Sequence, residues 1–433
     1  MHATWPVWLC CRLGLDACER AMLLASAAVL PLNRGKTLLH YAALGGQLAL
    51  LRQLIAVAPG AVRVADDRRR LPLHDGSDDA MVLLLEAAPD TATAADCRGK
   101  LPLHEAVRRG ADRAVRAVID TAPEAAMMAE STGELPLHVA AMVGNADTVR
   151  LLLAAAPQAA VMADSSGSAP LHHAVTCWDA TKVGASAEAE IVQLLLAAAP
   201  QAAMAADNIG MLPLHRALDN RGSTGEAAVP LLLAAAPGAA MVADEAEWLP
   251  LHYSAMRSAD AVGQLLGVAP QAAMAADDGG RLPLHYASSE AAAQLLLAAA
   301  PATAMVRDAG GCLPMAAQLE FGHLAAARAV LPATEAHAAL AVLAAAGGMA
   351  LPLLADIAYQ RPLSRADWQL VPTPCPGLFA ALPAVARRSR AEAGQLVRRL
   401  LPAERQRLQA SALCLSRFLP APLCAAILVH VVS

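Results

Sequence analysis

The chain has 433 residues, a formal net charge of −5 and a pI near 6.2, a balance that argues against non-specific nucleic-acid binding by the chain as a whole. Hydrophobic residues make up 57% of it but aromatics only 3%, so the positive mean hydropathy reflects small residues, and no membrane association is expected. The nine cysteines are an odd number with no Cys-x-x-Cys pair or metal-type Cys/His spacing, which fits reduced thiols in a cytoplasmic or nuclear compartment and no metal or cofactor site.

Residues 1–30 differ in pattern from the rest of the chain. Arg12, Asp16, Glu19 and Arg20 interrupt any signal-peptide core, so secretion is not expected. Asp16 and Glu19 have capping-box spacing before the apolar run Ala21 to Leu30, which predicts a short helix capping one end of the fold.

From there an apolar-proline-apolar-histidine phrase recurs, ending at His74, His104, His138, His172, His215, His252 and His285, after a first copy without proline, Thr37 Leu38 Leu39 His40. A degenerate ninth copy is Leu313 Pro314 Met315 Ala316. Spacing of roughly 33 residues over some 300 positions is the mark of a solenoid. Proline is tolerated in a first helical turn, so each phrase opens a helix. A second helix should end at Pro59, Pro89, Pro123, Pro157, Pro200, Pro237, Pro270 or Pro301, because the residue before proline avoids helical geometry. Each of these prolines stands 15 residues before the last residue of the next phrase. Between them, an acid recurs eight residues before the phrase's end (Asp66, Asp96, Glu130, Asp164, Asp207, Asp244, Asp277, Asp308). Glycine recurs five before it (Gly35, Gly99, Gly133, Gly167, Gly210, Gly280, Gly311), where a tight turn would want positive φ.

The order acid, two residues, glycine, one residue, Leu-Pro-Leu-His, x, Ala, as at Asp207, Gly210, Pro213, Leu214, His215 and Ala217, resembles the ankyrin repeat. The resemblance spans about residues 31–332. It implies an all-α solenoid of about nine helix-turn-helix units with β-hairpin fingers, and a binding role without catalysis. The family's threonine survives only as Thr37; Leu71, Leu101, Leu135, Ala169, Leu212, Leu249, Leu282 and Leu313 stand elsewhere. Buried leucine there would contribute ~1.5–3 kcal/mol per fully buried side chain.

Departures from the period predict local features. The unit after His74 is four residues short and has Gly76, which predicts a weak first helix. Insertions at 178–190 and 220–226 fall between the two helices of their units. Beyond Pro332 the period is lost, and 333–433 reads as an irregular helical C-terminal region: Ser364 with Asp367 suggests a cap, Pro402 with Glu404 a helix start, and Pro374 to Gly377 a break. The run Arg387 to Arg390, with Arg398, Arg399, Arg405 and Arg407, reads as a solvated helix face.

No phosphate-binding loop, nucleophile elbow or zinc-helix motif occurs, so no enzymatic activity is expected; a site within 333–433 is the alternative that would need a pocket there. Stacked units ~8–10 Å apart hold the phrase histidines too far apart to share an ion. Of His172 and His173, neighbours on a helix, the two do not face each other.

Partner-binding positions are expected on the concave finger and inner-helix surface of a monomeric scaffold or adaptor. The first three fingers are basic, with Arg34, Lys36, Arg68, Arg69, Arg70, Arg98 and Lys100, and suit an acidic protein segment. Trp248, Tyr41, Tyr253 and Tyr286 are the aromatic candidates for anchors. A second reading makes the C-terminal helices the effector of a ubiquitin-ligase substrate receptor.

Overall fold

A computed structural model describes residues 25–26, 28–176, 185–219, 227–346, 351–373, 375 and 377–406. The predicted N-terminal cap, the inserted residues 178–184 and 220–226, and the last 27 positions of the ligase-adaptor reading, 407–433, lie outside those residues. The chain divides into two compact units, 1–239 and 240–433. No helix among the described residues is long and apolar enough to cross a membrane.

In the first unit helices come in consecutive pairs. Leu38–Leu44 precedes Leu48–Val57, Pro72–Asp75 precedes Asp78–Ala87, Pro102–Arg109 precedes Asp112–Thr121, and Pro136–Val143 precedes Ala146–Ala155. Pro170–Val175 with Ala185–Ala198 and Pro213–Asp219 with Val229–Ala235 come next. The second unit has the pairs Pro250–Arg257 with Ala259–Val268, Pro283–Tyr286 with Glu290–Ala299, and Pro314–Glu320 with Leu324–Val330. Within each unit first helices stack on first helices and second on second. The architecture is an all-α solenoid.

Every phrase proline stands at a helix start, and the residue before each pair-closing proline leaves helical geometry, as at Ala88 (φ −149°, ψ 76°) and Ala156 (φ −143°, ψ 77°). The helix after Leu71 is a single turn, Pro72–Asp75. Gly76 there lies so close to its second helix that a Cβ would stand 2.8 Å from Met81 Cγ. Residues 185–190 of the first insertion, read as loop between helices, instead lengthen the second helix to 14 residues.

Two features differ from the expected extended fingers. Each pair-closing proline opens a five-residue 3-10 turn, such as Pro59–Arg63 or Pro123–Met127, whose third and fourth residues are buried, as Ala61 and Val62 or Ala125 and Ala126. Proline is suited to a first helical position, and small side chains let this turn pack closely. Beyond it, no strand is present among the described residues. In place of paired strands the chain makes a tight turn: Asp66 N–H donates to Arg70 O (2.9 Å) and Arg69 N–H to Asp66 O (2.9 Å). One such pair of bonds is too short for a ladder.

The glycines of these turns have φ between +71° and +80°. In two units no glycine stands there, and Arg69 (φ +60°) and Glu247 (φ +58°) hold the left-handed conformation.

The phrase histidines are buried, at most 2% exposed. Nδ1 accepts the backbone N–H at the helix N-cap, from Leu71 to His74 (3.0 Å), Leu101 to His104 (3.1 Å) and Leu135 to His138 (2.9 Å). Because Nδ1 accepts, Nε2 carries the proton. It donates to a carbonyl of the following turn: His74 to Lys100 O (3.1 Å), His104 to Glu134 O (3.1 Å), His138 to Ser168 O (3.1 Å) and His285 to Cys312 O (3.3 Å). The N-cap bond does not need the family's threonine. Thr37 adds its hydroxyl to His40 Nδ1 at 2.9 Å, while the replacing leucines and Ala169 are all at most 8% exposed.

After Pro332 the second unit continues with Ala336–Ala346, Leu351–Gln360, Arg365–Leu370, Leu382–Arg388 and Arg390–Arg398, joined without fingers. Ser364 and Asp367 form the expected capping box, Glu404 accepts the N–H of Leu401 (3.0 Å), and the helix break falls before Gly377. Arginines here cap carbonyls about thirty residues earlier. Arg361 donates to Leu331 O (2.8 Å) and Thr334 O (2.6 Å), Arg388 to Ala358 O (2.6 Å), and Arg399 to Val371 O (3.3 Å). Arg388 and Arg399 are therefore structural rather than part of a solvated face.

Burial pushes the pKa of His40, His74, His104, His138, His172, His252 and His285 down, for His138 to about 4. The neutral imidazole is the folded form. Its contribution is whole above the unfolded pKa of about 6.5 and is lost as pH falls from there toward the folded values, by up to about 1.4 kcal/mol per pH unit per histidine. Glu188, buried and without a hydrogen bond among the described residues, is pushed up to about 8 by burial and acts oppositely, gaining as pH falls from 8 to its unfolded value. Glu134, pushed up to about 7, acts in the same sense as Glu188, and seven histidines oppose the two. The urea midpoint should drop clearly between pH 7.5 and pH 5, and an unchanged midpoint would refute the account. Independently, Arg69→Gly and Glu247→Gly should each raise stability by up to about 1 kcal/mol, read from urea melts, because left-handed backbone costs a side-chain-bearing residue about that much.

Candidate protein-interaction surface

The acid of each turn shapes its tip. Asp66 Oδ1 accepts the N–H of Arg68 (2.8 Å) and of Arg70 (2.9 Å), and Asp96 Oδ1 those of Arg98 (2.7 Å) and Lys100 (2.9 Å). Asp164, Asp207 and Asp244 repeat the arrangement. Two donated bonds to one oxygen curl the chain into a tight turn.

Arg34, Arg68 and Arg98 occupy the same tip position, six residues before the phrase histidine, in three successive turns. Their carbonyls accept the N–H of the next turn: Asp67 to Arg34 O (3.2 Å), Cys97 to Arg68 O (2.8 Å) and Ser131 to Arg98 O (2.8 Å). The tips therefore stand side by side. All three side chains, and Arg69, are exposed and make no ion pair or hydrogen bond among the described residues. The inner basic residues differ: Lys36 pairs with Asp75 (2.6 Å), Arg70 with Asp75 and Asp66, and Lys100 with Glu130 (3.0 Å). Two clefts lie between these tips. One of about 410 Å³ is lined by Arg34, Lys36, Asp66, Asp67, Arg68 and Arg70, and one of about 280 Å³ shares Arg68 and Arg70 and adds Arg98 and Lys100.

The aromatic candidates are placed otherwise. The Tyr253 hydroxyl donates to Asp244 (2.6 Å) and that of Tyr286 to Asp277 (2.7 Å), each bond linking a first helix to its own turn. Burial, with Asp277 second, raises the Tyr286 pKa. Trp248, half-buried, has its ring 5.0 Å from that of Tyr253 and 4.6 Å from that of Tyr286. Arg281 lies 5.9 Å from the rings of both Tyr286 and exposed Phe321. Tyr41 is half-buried in the first unit.

The family model described as "Ankyrin repeats (3 copies)" matches residues 73–159 and 103–183. The chain carries ankyrin repeats. Among solved structures, the ankyrin repeat domain of Bcl-3, a member of the IkappaB protein family, is 24% identical over 54% of this chain and 100% of that one, with a TM-score of 0.43. No curated protein matches the sequence.

In four of these ankyrin repeats the residue after the phrase histidine meets the acid nine positions earlier. Tyr253 and Tyr286 do so, as do Arg216 with Asp207 (3.0 Å) and His173 with Asp164 (2.9 Å). The constant nine-residue interval is the sequence signal for this contact, and the expectation for His173 did not use it. His172 faces away and donates to Met211 O (3.1 Å), so the adjacent histidines serve different bonds. Near His173, Glu134 is pushed up to about 7 by burial and by Glu130. Burial also opposes the charge of Asp164, but hydrogen bonds from Ser166, His173 and Ser168 outweigh it and hold that carboxyl below its usual range.

Asp96 receives two charge-assisted bonds while 8% exposed. Asp96→Ala should cost about 2–3 kcal/mol in urea unfolding. Asp96→Asn, which keeps an acceptor oxygen, should cost less than half as much; equal losses would show that the turn does not depend on that oxygen.

Proposed function

We propose that the chain is a protein-interaction scaffold whose first three fingers take an acidic, extended segment of a protein partner on the concave finger and inner-helix surface. The observation that carries this reading is the row Arg34, Arg68 and Arg98, exposed, without counter-ions among the described residues, and tied tip to tip. Lys36, Arg70 and Lys100, paired with carboxylates, supply the floor beneath it. In this reading residues 31–332 are the binding array, 1–30 its cap and 333–433 a helical continuation.

The spacing of the row selects the partner's conformation. Packed helices of neighbouring repeats lie ~8–10 Å apart, and the tips they carry are spaced by about that distance. A polyproline II segment rises ~3.1 Å per residue with three residues per turn, so acids at i, i+3 and i+6 lie on one face ~9.3 Å apart. A β-strand puts third neighbours on opposite faces. An acidic polyproline II segment thus meets all three guanidinium groups, each of which can hold a carboxylate with two parallel bonds. Trp248 offers a half-buried aromatic face in the second unit for a further contact.

Single exposed ion pairs contribute ~0.2–1 kcal/mol and are screened by salt. Binding must come from the row together. Fluorescence anisotropy with a labelled (Glu-Pro-Pro)₄ peptide should show saturable binding that falls at least tenfold in Arg34→Glu/Arg68→Glu/Arg98→Glu and in 0.5 M salt. A peptide with the same glutamates in one contiguous block should bind more weakly. Equal binding by wild type and the triple variant would overturn the site.

A further inference from the structure

At several junctions between consecutive turns a residue of one turn, the acid of the next turn and the residue following that repeat's histidine supply the groups that meet. The charges at these junctions are balanced by fixed cations or hydroxyls. Lys36 meets Asp75, Lys100 meets Glu130, Arg216 meets Asp207 and Arg281 meets Asp308; Tyr253 and Tyr286 give hydroxyl protons to Asp244 and Asp277. Another junction is built from different residues. There Glu134, Asp164 and His173 bring two carboxylates and an imidazole together, their ligand atoms all within 4.8 Å of one another. Lys100, the nearest lysine in this pattern, is engaged by Glu130.

We propose that this junction binds a divalent transition-metal ion of the zinc class. The donor set is one imidazole nitrogen and two carboxylate oxygens, which suits zinc with a fourth position open to water. The bonds already made decide which atoms are available. Asp164 Oδ1 accepts the N–H groups of Ser166 (2.8 Å) and Ser168 (3.0 Å) and the Ser166 hydroxyl (2.7 Å), which fixes the carboxylate and leaves Oδ2 as the donor. His173 Nε2 stands 2.9 Å from that oxygen. Ligands at ~2.0–2.1 Å around a tetrahedral ion lie about 3.3 Å apart, so a small separation of this pair admits the ion as the imidazole gives up its proton. His138 is not a ligand, since both its nitrogens are committed, to Leu135 N–H and Ser168 O. Its ring packs edge-on against His173 at 5.3 Å and holds that imidazole in place. The three ligands are half-buried, so an ion has access from solvent.

The three ligands come from two repeats, Glu134 from one turn and Asp164 and His173 from the next. An occupied site would therefore clamp two neighbouring repeats.

Isothermal titration of the full chain with zinc chloride, with the thiols kept reduced, tests this. The expected result is one saturable site whose affinity falls at least tenfold in His173→Ala and in Glu134→Gln and is kept in Cys97→Ser, with zinc raising the melting temperature of the wild type only. Circular dichroism melts in EDTA establish that each variant folds; should one not, the other decides. Absence of saturable zinc binding by the wild type, unchanged affinity in a folded ligand variant, loss of binding in Cys97→Ser, or equal affinity for magnesium would each overturn the proposal.

Discussion

Much of the structure depends on one buried imidazole per repeat. Its Nδ1 satisfies an N-cap N–H that the helix cannot, and its Nε2–H satisfies a carbonyl of the following turn, as His104 does for Leu101 and Glu134. A repeat array has no central core, and its stability resides in the interfaces between neighbours. The histidine is a polar element of that interface, and apolar stacking of residues such as Leu103, Leu137 and Leu171 surrounds it. Leaving either partner unsatisfied in that setting costs more than the bond itself contributes. The helix opening, the turn and the repeat-to-repeat contact are thus coupled through a single neutral ring.

The same economy governs the turns. In four repeats an acid curls the backbone with one oxygen and meets the first helix with the other, as Asp164 does with Ser166 and His173. In three successive turns an exposed tip residue is arginine, and in one junction two carboxylates and an imidazole come together. Function is carried by departures at positions whose backbone is already determined. Where the fingers end, arginine takes over the histidine's part: Arg361, Arg388 and Arg399 reach carbonyls of an earlier helix, because a guanidinium can span the greater distance and offers several donors.

Much of the fold was legible in the residues. Proline after leucine located the helix starts, proline after alanine the ends, and Gly76 with a shortened step the one-turn helix at Pro72–Asp75. The 3-10 turn after each closing proline was not legible, since alanine-rich segments suit many conformations and packing against neighbours selects this one. Nor was the role of Arg388 and Arg399, whose neighbours in sequence are charged while their carbonyl partners lie about thirty residues away.

By itself the sequence determined the period, the helix boundaries, the positive-φ positions and the row of basic residues at the first fingers, because all of these are set by local backbone chemistry repeated in register. Tertiary structure alone decided which charges are spent and which remain. Lys36, Arg70 and Lys100 look like Arg34, Arg68 and Arg98 in composition, yet among the described residues the former are paired with Asp75 and Glu130 and the latter are not. The meeting of Glu134 with Asp164 and His173 was decided in the same way, since side chains thirty or more residues apart are brought together only when one repeat stacks on the next.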